Sequence, residues 1–151
     1  YHSLADEAWE QSGGRIDAFV HSVGTCGSLR GTSTRLRVHN PRVQVVAVEP
    51  STSAVMSGGQ PGPHRIEGMG TGRLVPLYEP TLIHGIEPVS TEEAEAMARR
   101  LSREEAIFAG TSTGANLVAA LRVAATLGPD ATVLAIACDT GLKYVSTELY
   151  R

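Results

Sequence analysis

The sequence predicts an α/β fold: a three-layer, open, mostly parallel sheet with helices on both faces. Three observations lead there. Short apolar runs at residues 16–23 (IDAFVHSV), 43–48 (VQVVAV) and 132–137 (TVLAIA) alternate with helix-length segments. Two Gly/Ser/Thr clusters, at residues 24–28 and 110–114, each follow an apolar run and open a helix. The chain has 151 residues, 42% hydrophobic and 19% charged, which suits one domain with a buried core.

In chain order, residues 2–11 form a helix with Leu4, Ala8 and Trp9 inward, closed by Gly13-Gly14. Residues 16–23 are rich in apolar and β-branched side chains and read as a buried strand. Residues 28–38 carry Leu29 and Leu36 on one helical face with Arg30, Arg35 and Arg37 outward, and Asn40-Pro41 ends the pattern. Residues 43–48 are the second strand, which completes a βαβ unit. Of the 20 residues 57–76, nine are Gly or Pro, so that stretch is a long loop of the kind that is usually functional or disordered. A short strand is expected within 81–89, interrupted by Gly85 and Pro88. Ser90 and Glu93 fit a capping box that starts a helix with Ala94, Met97, Ala98 and Leu101 inward. Ile107-Phe108-Ala109 reads as a short strand. The next helix shows Leu117, Ala120, Leu121 and Ala124 at core spacing and closes at Gly128-Pro129. The expected sheet therefore has four or five strands, with both Gly/Ser clusters at their carboxyl ends.

Composition excludes several classes. A net charge of -3 argues against a nucleic-acid or anionic-membrane surface. Aromatic residues, at 5%, are too few for a base-stacking platform. No apolar run approaches the ~20 residues of a membrane span, and no secretory leader is evident. Two cysteines make no disulfide framework and read as cytosolic thiols, so a cytoplasmic protein is expected. No His, Cys or carboxylate pair has a metal-ligand spacing, so no metal is expected.

The two clusters carry the chemistry. A helix N-terminus presents unpaired N–H groups with partial positive charge, and glycines let a phosphate reach the backbone. Small residues that merely make tight βα turns would look the same. A dinucleotide fingerprint counted from Gly24 needs glycines where Cys26 and Leu29 stand, and no Gly-Lys pair exists for a Walker loop. A nucleotide-binding domain fails on these spacings.

Five motifs then occur in one order: Gly24-Thr25-Cys26-Gly27-Ser28, Val46-Ala47-Val48-Glu49-Pro50, residues 61–70 (PGPHRIEGMG), Gly110-Thr111-Ser112-Thr113-Gly114 and residues 141–147 (GLKYVST). Together they resemble the C-terminal half of the cysteine synthase (O-acetylserine sulfhydrylase) and cystathionine β-synthase family. These are pyridoxal-phosphate enzymes of the tryptophan-synthase β fold type. The resemblance implies that residues 1–151 are a single α/β domain similar to the cofactor-binding portion of those enzymes. It implies that Gly24, Thr25, Cys26, Gly27 and Ser28 hold the phosphate of pyridoxal 5'-phosphate. It also implies that Ser112 meets the pyridine nitrogen and that Gly68 lines the substrate side. A neutral hydroxyl at that nitrogen keeps the ring a milder electron sink than a carboxylate would, which favours β-elimination and β-replacement.

Three departures qualify the match. Cys26 replaces a glycine of the family's Gly-Thr-Gly-Gly-Thr loop, where a Cβ is costly if φ is positive; a thiol at a helix N-terminus can be acidified and reactive, but a tolerated small residue is the preferred reading. Cys138-Asp139-Thr140 stands where many cysteine synthases have Pro-Ser-Ser, which leaves the substrate open. The family's catalytic lysine and its carboxylate-gripping loop belong to an N-terminal half that matches nothing here. Lys143, the only lysine, resembles a structural basic position. The expectation is a truncated or split cysteine-synthase-like protein, inactive alone, that forms a homodimer or receives the missing half from another chain. The alternative is a non-catalytic protein that binds a phosphorylated ligand or complements a partner. His21 is expected at the core or the pocket edge, and His64 has no assigned role.

Overall fold

The computed structural model describes residues 1–151. Its four strands are β1 (Ala18–Ser22), β2 (Gln44–Pro50), β3 (Gly85–Val89) and β4 (Val133–Ala135), in spatial order β3-β2-β1-β4. All three pairings are parallel, with Val20 opposite both Val46 and Ala135. β1 and β2 are the inner strands. Covered on both faces, they are apolar along most of their length, and this is why they read as apolar runs, with polar residues such as His21, Ser22 and Glu49 toward their carboxyl ends.

The helices are α1 (His2–Gln11), α2 (Gly27–His39), α3 (Thr91–Glu104) and α4 (Thr111–Leu127). Successive strand residues point to opposite faces and build two cores. Ala18, Val20, Val46 and Val48 pack with Ala94 of α3 and with Ala115 and Ala119 of α4. Phe19, Val45 and Ala47 pack with Ala5 of α1 and with Leu29 and Leu36 of α2. The three layers expected from the sequence are present.

Three details differ from the sequence reading. Ile107-Phe108-Ala109 is not a sheet strand, because Ala109 makes only an isolated antiparallel bridge to Thr140. The buried face of α4 is formed by Ala115, Ala119, Ala120 and Val123, whereas Leu121 is 51% exposed. The cause is close approach: a Cβ on Gly114 would collide with the Ala94 carbonyl of α3, so small residues face the interface and large ones lie beside it. In α1 only Ala5 is fully buried, with Leu4, Ala8 and Trp9 half-buried around it. The capping box of α3 is present in full, with Ser90 Oγ accepting from Glu93 N–H. Residues 57–76 contain no helix or strand and are pinned by buried Ile66 and Met69.

Candidate functional site

β2 lies on one side of β1 and β4 on the other, so the chain leaves β1 at a topological switch point, where open α/β sheets bind ligands. A cavity of about 500 Å³ opens there, between the carboxyl ends of β1 and β4. That volume lies in the range of small-molecule sites.

The walls follow from local structure. Gly24 and Thr25 leave β1, and Ser28 sits in the first turn of α2. A Cβ on Gly24 would strike the carbonyl oxygen of Gly68, so glycine is required where the long loop crosses the end of the strand. That loop is held by Gly70 N–H donating to Val23 O at 3.1 Å and by Glu67 N–H donating to Thr111 Oγ1 at 3.2 Å. Thr113 Oγ1 likewise accepts from Cys138 N–H at 3.0 Å and ties the end of β4 to α4. The two threonines of the Gly110–Gly114 cluster are thus occupied as tethers. Ser112 between them is buried, lines the cavity, and has no hydrogen-bond partner for its hydroxyl within the chain.

Five of the residues singled out in the sequence therefore share one cavity: Gly24, Thr25, Ser28, Gly68 and Ser112. Cys26 and Gly27 are not among the lining side chains. Cys26 adopts φ 68, the left-handed conformation, and this turns its side chain into the core beside Ala5 and Leu29. Burial pushes its thiol pKa up, which is against the acidified alternative and in keeping with a tolerated small residue packed in the core.

The structure adds residues that sequence spacing did not bring together. Asp139 and Tyr144 also line the cavity, with Tyr144 Oη donating to Asp139 Oδ2 at 2.9 Å. Burial, reinforced by Asp139, raises the Tyr144 pKa. Lys143 stands on the rim, its side chain 63% exposed and its Nζ 3.4 Å from Asp139 Oδ2, as expected of a paired surface charge. His21 is 5% exposed at the end of β1, with Nε2 2.7 Å from Ser28 Oγ. Burial lowers its pKa to about 4, so the ring is neutral near pH 7. His64 is a loop brace against Gly70 O at 3.1 Å.

Electrostatically, the cavity offers donors at its α2 end. The first turn of α2 has no acidic residue and no side-chain cap, and the same holds for α4, whereas α3, which starts elsewhere, is fully capped. A phosphate suits the first end and a ring nitrogen suits a free hydroxyl such as that of Ser112.

The family model described as "Pyridoxal-phosphate dependent enzyme" matches residues 1–139. The chain belongs to this family. Its relatives include a cysteine synthase of Staphylococcus aureus, 41% identical over 138 residues, which are 91% of this chain and 44% of that protein. A cysteine synthase of Helicobacter pylori is 37% identical over 150 residues, 99% of this chain and 49% of that one. Among solved structures, O-acetyl serine sulfhydrylase isoform 3 from Entamoeba histolytica superposes with a TM-score of 0.96 at 38% identity, covering 99% of this chain and 45% of that one. The O-acetylserine dependent cystathionine beta-synthase from Helicobacter pylori gives 0.92 at 35%, covering 98% and 48%. The chain spans about half the length of the curated relatives it matches. The family's cofactor is pyridoxal phosphate, and the glycine cradle, the uncapped α2 end and the unpartnered Ser112 hydroxyl fit it. No helix is long and apolar enough to cross a membrane.

Proposed function

We propose that this chain contributes the phosphate-binding and ring-nitrogen-binding part of a cysteine-synthase-like β-replacement enzyme. The observation that carries the reading is the convergence of two distant Gly/Ser/Thr clusters on one cavity at the strand switch point. The cofactor supplies the electron sink for eliminating and replacing a β-substituent on an amino acid. In this reading the backbone of residues 24–28 and the Ser28 hydroxyl bind the phosphate, Ser112 orients the ring nitrogen without protonating it, and Gly68 keeps the substrate side open.

The 151 residues hold one lysine, Lys143, whose amine is exposed and paired with Asp139. That supports non-covalent binding and no turnover of O-acetylserine by these residues alone. It also favours the second reading, a protein that binds a phosphorylated ligand without catalysis. Titration of the chain with pyridoxal phosphate, followed by absorbance and calorimetry, tests both. Saturable binding that Ser28→Ala weakens is expected, and absence of saturation refutes the phosphate cradle.

The partner in this reading is a second copy of the chain or a complementing N-terminal half. β4 supports it, being a short edge strand whose apolar residues Val133, Leu134 and Ala135 are only half-buried. Exposed Leu142 and Val145 flank the cavity-lining residues Lys143 and Tyr144 in sequence. Light scattering at micromolar concentration should give a dimer or larger, and a clean monomer would refute self-association.

A further inference from the structure

In the cavity wall, four polar groups form a chain whose donor and acceptor roles are fixed from one end. The Ser22 backbone N–H can only donate, so the Asn116 atom 2.7 Å from it is the amide oxygen, and the amide nitrogen takes the other position. That nitrogen carries two hydrogens. One goes to the Ile136 carbonyl oxygen at 2.9 Å. The other faces His21 Nδ1 at 3.2 Å, with Cys138 Sγ a weaker and more distant acceptor at 3.4 Å. A hydrogen on Nδ1 would oppose the donor, so Nδ1 is bare and the neutral ring carries its hydrogen on Nε2. Nε2–H then donates to Ser28 Oγ at 2.7 Å. Ser28 makes no other side-chain hydrogen bond within the chain and lines the cavity, so its own hydrogen is left for whatever enters.

We propose that His21 is a positioning residue that, through this chain of hydrogen bonds, fixes the Ser28 hydroxyl as a donor into the cavity and so selects an unprotonated phosphoryl oxygen there. The proposal rests on the phosphate-cradle reading and adds a residue and a direction to it. An isolated serine could donate or accept and would tolerate a ligand hydroxyl or amine equally well. With His21 donating to one of its two lone pairs, the hydroxyl hydrogen is turned away from the ring toward the cavity, so a ligand acceptor there gains a bond that a ligand donor must seek on the single lone pair left. Rigidity supports the same conclusion. Asn116 is fully buried, His21 is nearly so, and the ring stacks on Phe19 with centroids 5.7 Å apart. No carboxylate hydrogen-bonds to the ring.

The test uses the full chain with inorganic phosphate, pyridoxal phosphate and phosphate-free pyridoxal as probes. Long-range ¹H–¹⁵N spectra of the wild type should show His21 with the hydrogen on Nε2 and a bare Nδ1, with and without phosphate. His21→Phe should weaken phosphate and pyridoxal phosphate binding about tenfold, the scale of one hydrogen bond to a charged group, while leaving pyridoxal within about twofold. His21→Gln retains a donor near the Nε2 position and should recover most of the loss. In a His21→Phe background, Ser28→Ala should cost less than it does alone. An Nδ1–H tautomer, or a folded His21→Phe chain with wild-type phosphate affinity, overturns the role of His21 while leaving the cradle intact. A wild-type chain that does not bind phosphate overturns the cradle and this proposal with it, whatever the tautomer.

Discussion

Lowering the pH should cost this protein stability through His21, and a His21→Gln variant should escape that cost. The unfolded chain protonates this ring at its ordinary value of 6.5, whereas the buried ring of the folded state resists until about 4. Between those values the unfolded state holds more protons, so stability that is intact above pH 6.5 drains as the pH falls toward 4. The separation is worth about 3 kcal/mol when fully expressed. About 2 kcal/mol of it should appear between pH 7 and pH 5. The groups packed on the ring are Ser28 from α2, Asn116 from α4 and Phe19 from its own strand, and none of them is charged. Asp6, held low by Arg35 and His39, and Glu93, held low by Ser90 and Arg122, also lose stability on acidification. Those losses are common to both proteins and cancel in the difference. The assay is urea unfolding by far-ultraviolet circular dichroism at pH 7, 6 and 5 for wild type and variant. His21→Gln starts the less stable at pH 7, and the gap should close by about 2 kcal/mol at pH 5. Parallel curves, with the gap constant to within about 0.5 kcal/mol, would refute a buried neutral imidazole.

Two further substitutions address the loop around the strand end. Gly24→Ala drives a methyl group into the Gly68 carbonyl, so urea unfolding should register about 1–3 kcal/mol of destabilisation and phosphate titration at least a tenfold loss of affinity; an unaffected protein would mean that the loop does not cross there. Cys26→Gly removes a left-handed strain of about 1 kcal/mol but gives up a buried side chain and adds backbone entropy, so stability should stay within about 1 kcal/mol of wild type. Phosphate affinity should not change, because the thiol faces the core, and a large gain would show that its Cβ obstructs the cradle.

What could be read from sequence followed how locally each feature is encoded. β1 and β2 were legible because inner parallel strands are covered on both faces and so are largely apolar, and α3 because its capping box and charges lie within a few residues. The core face of α4 was only partly legible: Ala120 packs inward as expected, but Leu121 does not, because the interface with α3 is built from Gly114 and alanines, whose smallness lets the helices approach. Ile107 and its neighbours are apolar enough for a strand, but only Ala109 finds a partner, outside the sheet. The Gly/Ser/Thr clusters stood out because tight turns and helix starts need those residues in sequence. His21 was legible as a core or pocket-edge residue from its place on β1, but its pairing with Asn116 was not, because the two meet across 95 positions and leave no local pattern. Polar pairs of this kind emerge only when the topology has brought their elements together.

Asn116 offers the sharpest perturbation of that pair, because one atom decides its role. It is fully buried, and its oxygen accepts from Ser22 while its nitrogen serves Ile136 O and His21. Asn116→Asp preserves shape and the bond from Ser22 but turns the donating side into an acceptor. The new oxygen then faces the Ile136 carbonyl without a hydrogen between them, which should destabilise the fold by about 1–3 kcal/mol. His21 has a remedy that Ile136 lacks: it can place a hydrogen on Nδ1 and donate to the carboxylate. In the neutral ring this bares Nε2, which then accepts from Ser28 and withdraws that hydroxyl from the cavity. The carboxylate also favours the charged ring, so the His21 pKa should rise from its lowered value. Once protonated, the ring donates at both nitrogens and Ser28 is returned to the ligand. Phosphate affinity of this variant should therefore be weak at alkaline pH and recover as the pH falls. The wild type should follow the titration of phosphate itself and show no such recovery, because its His21 stays neutral across most of that range. Calorimetric phosphate titrations of both proteins across pH 5 to 9 measure the contrast. Matching profiles would mean that the hydroxyl of Ser28 takes its direction from something other than His21.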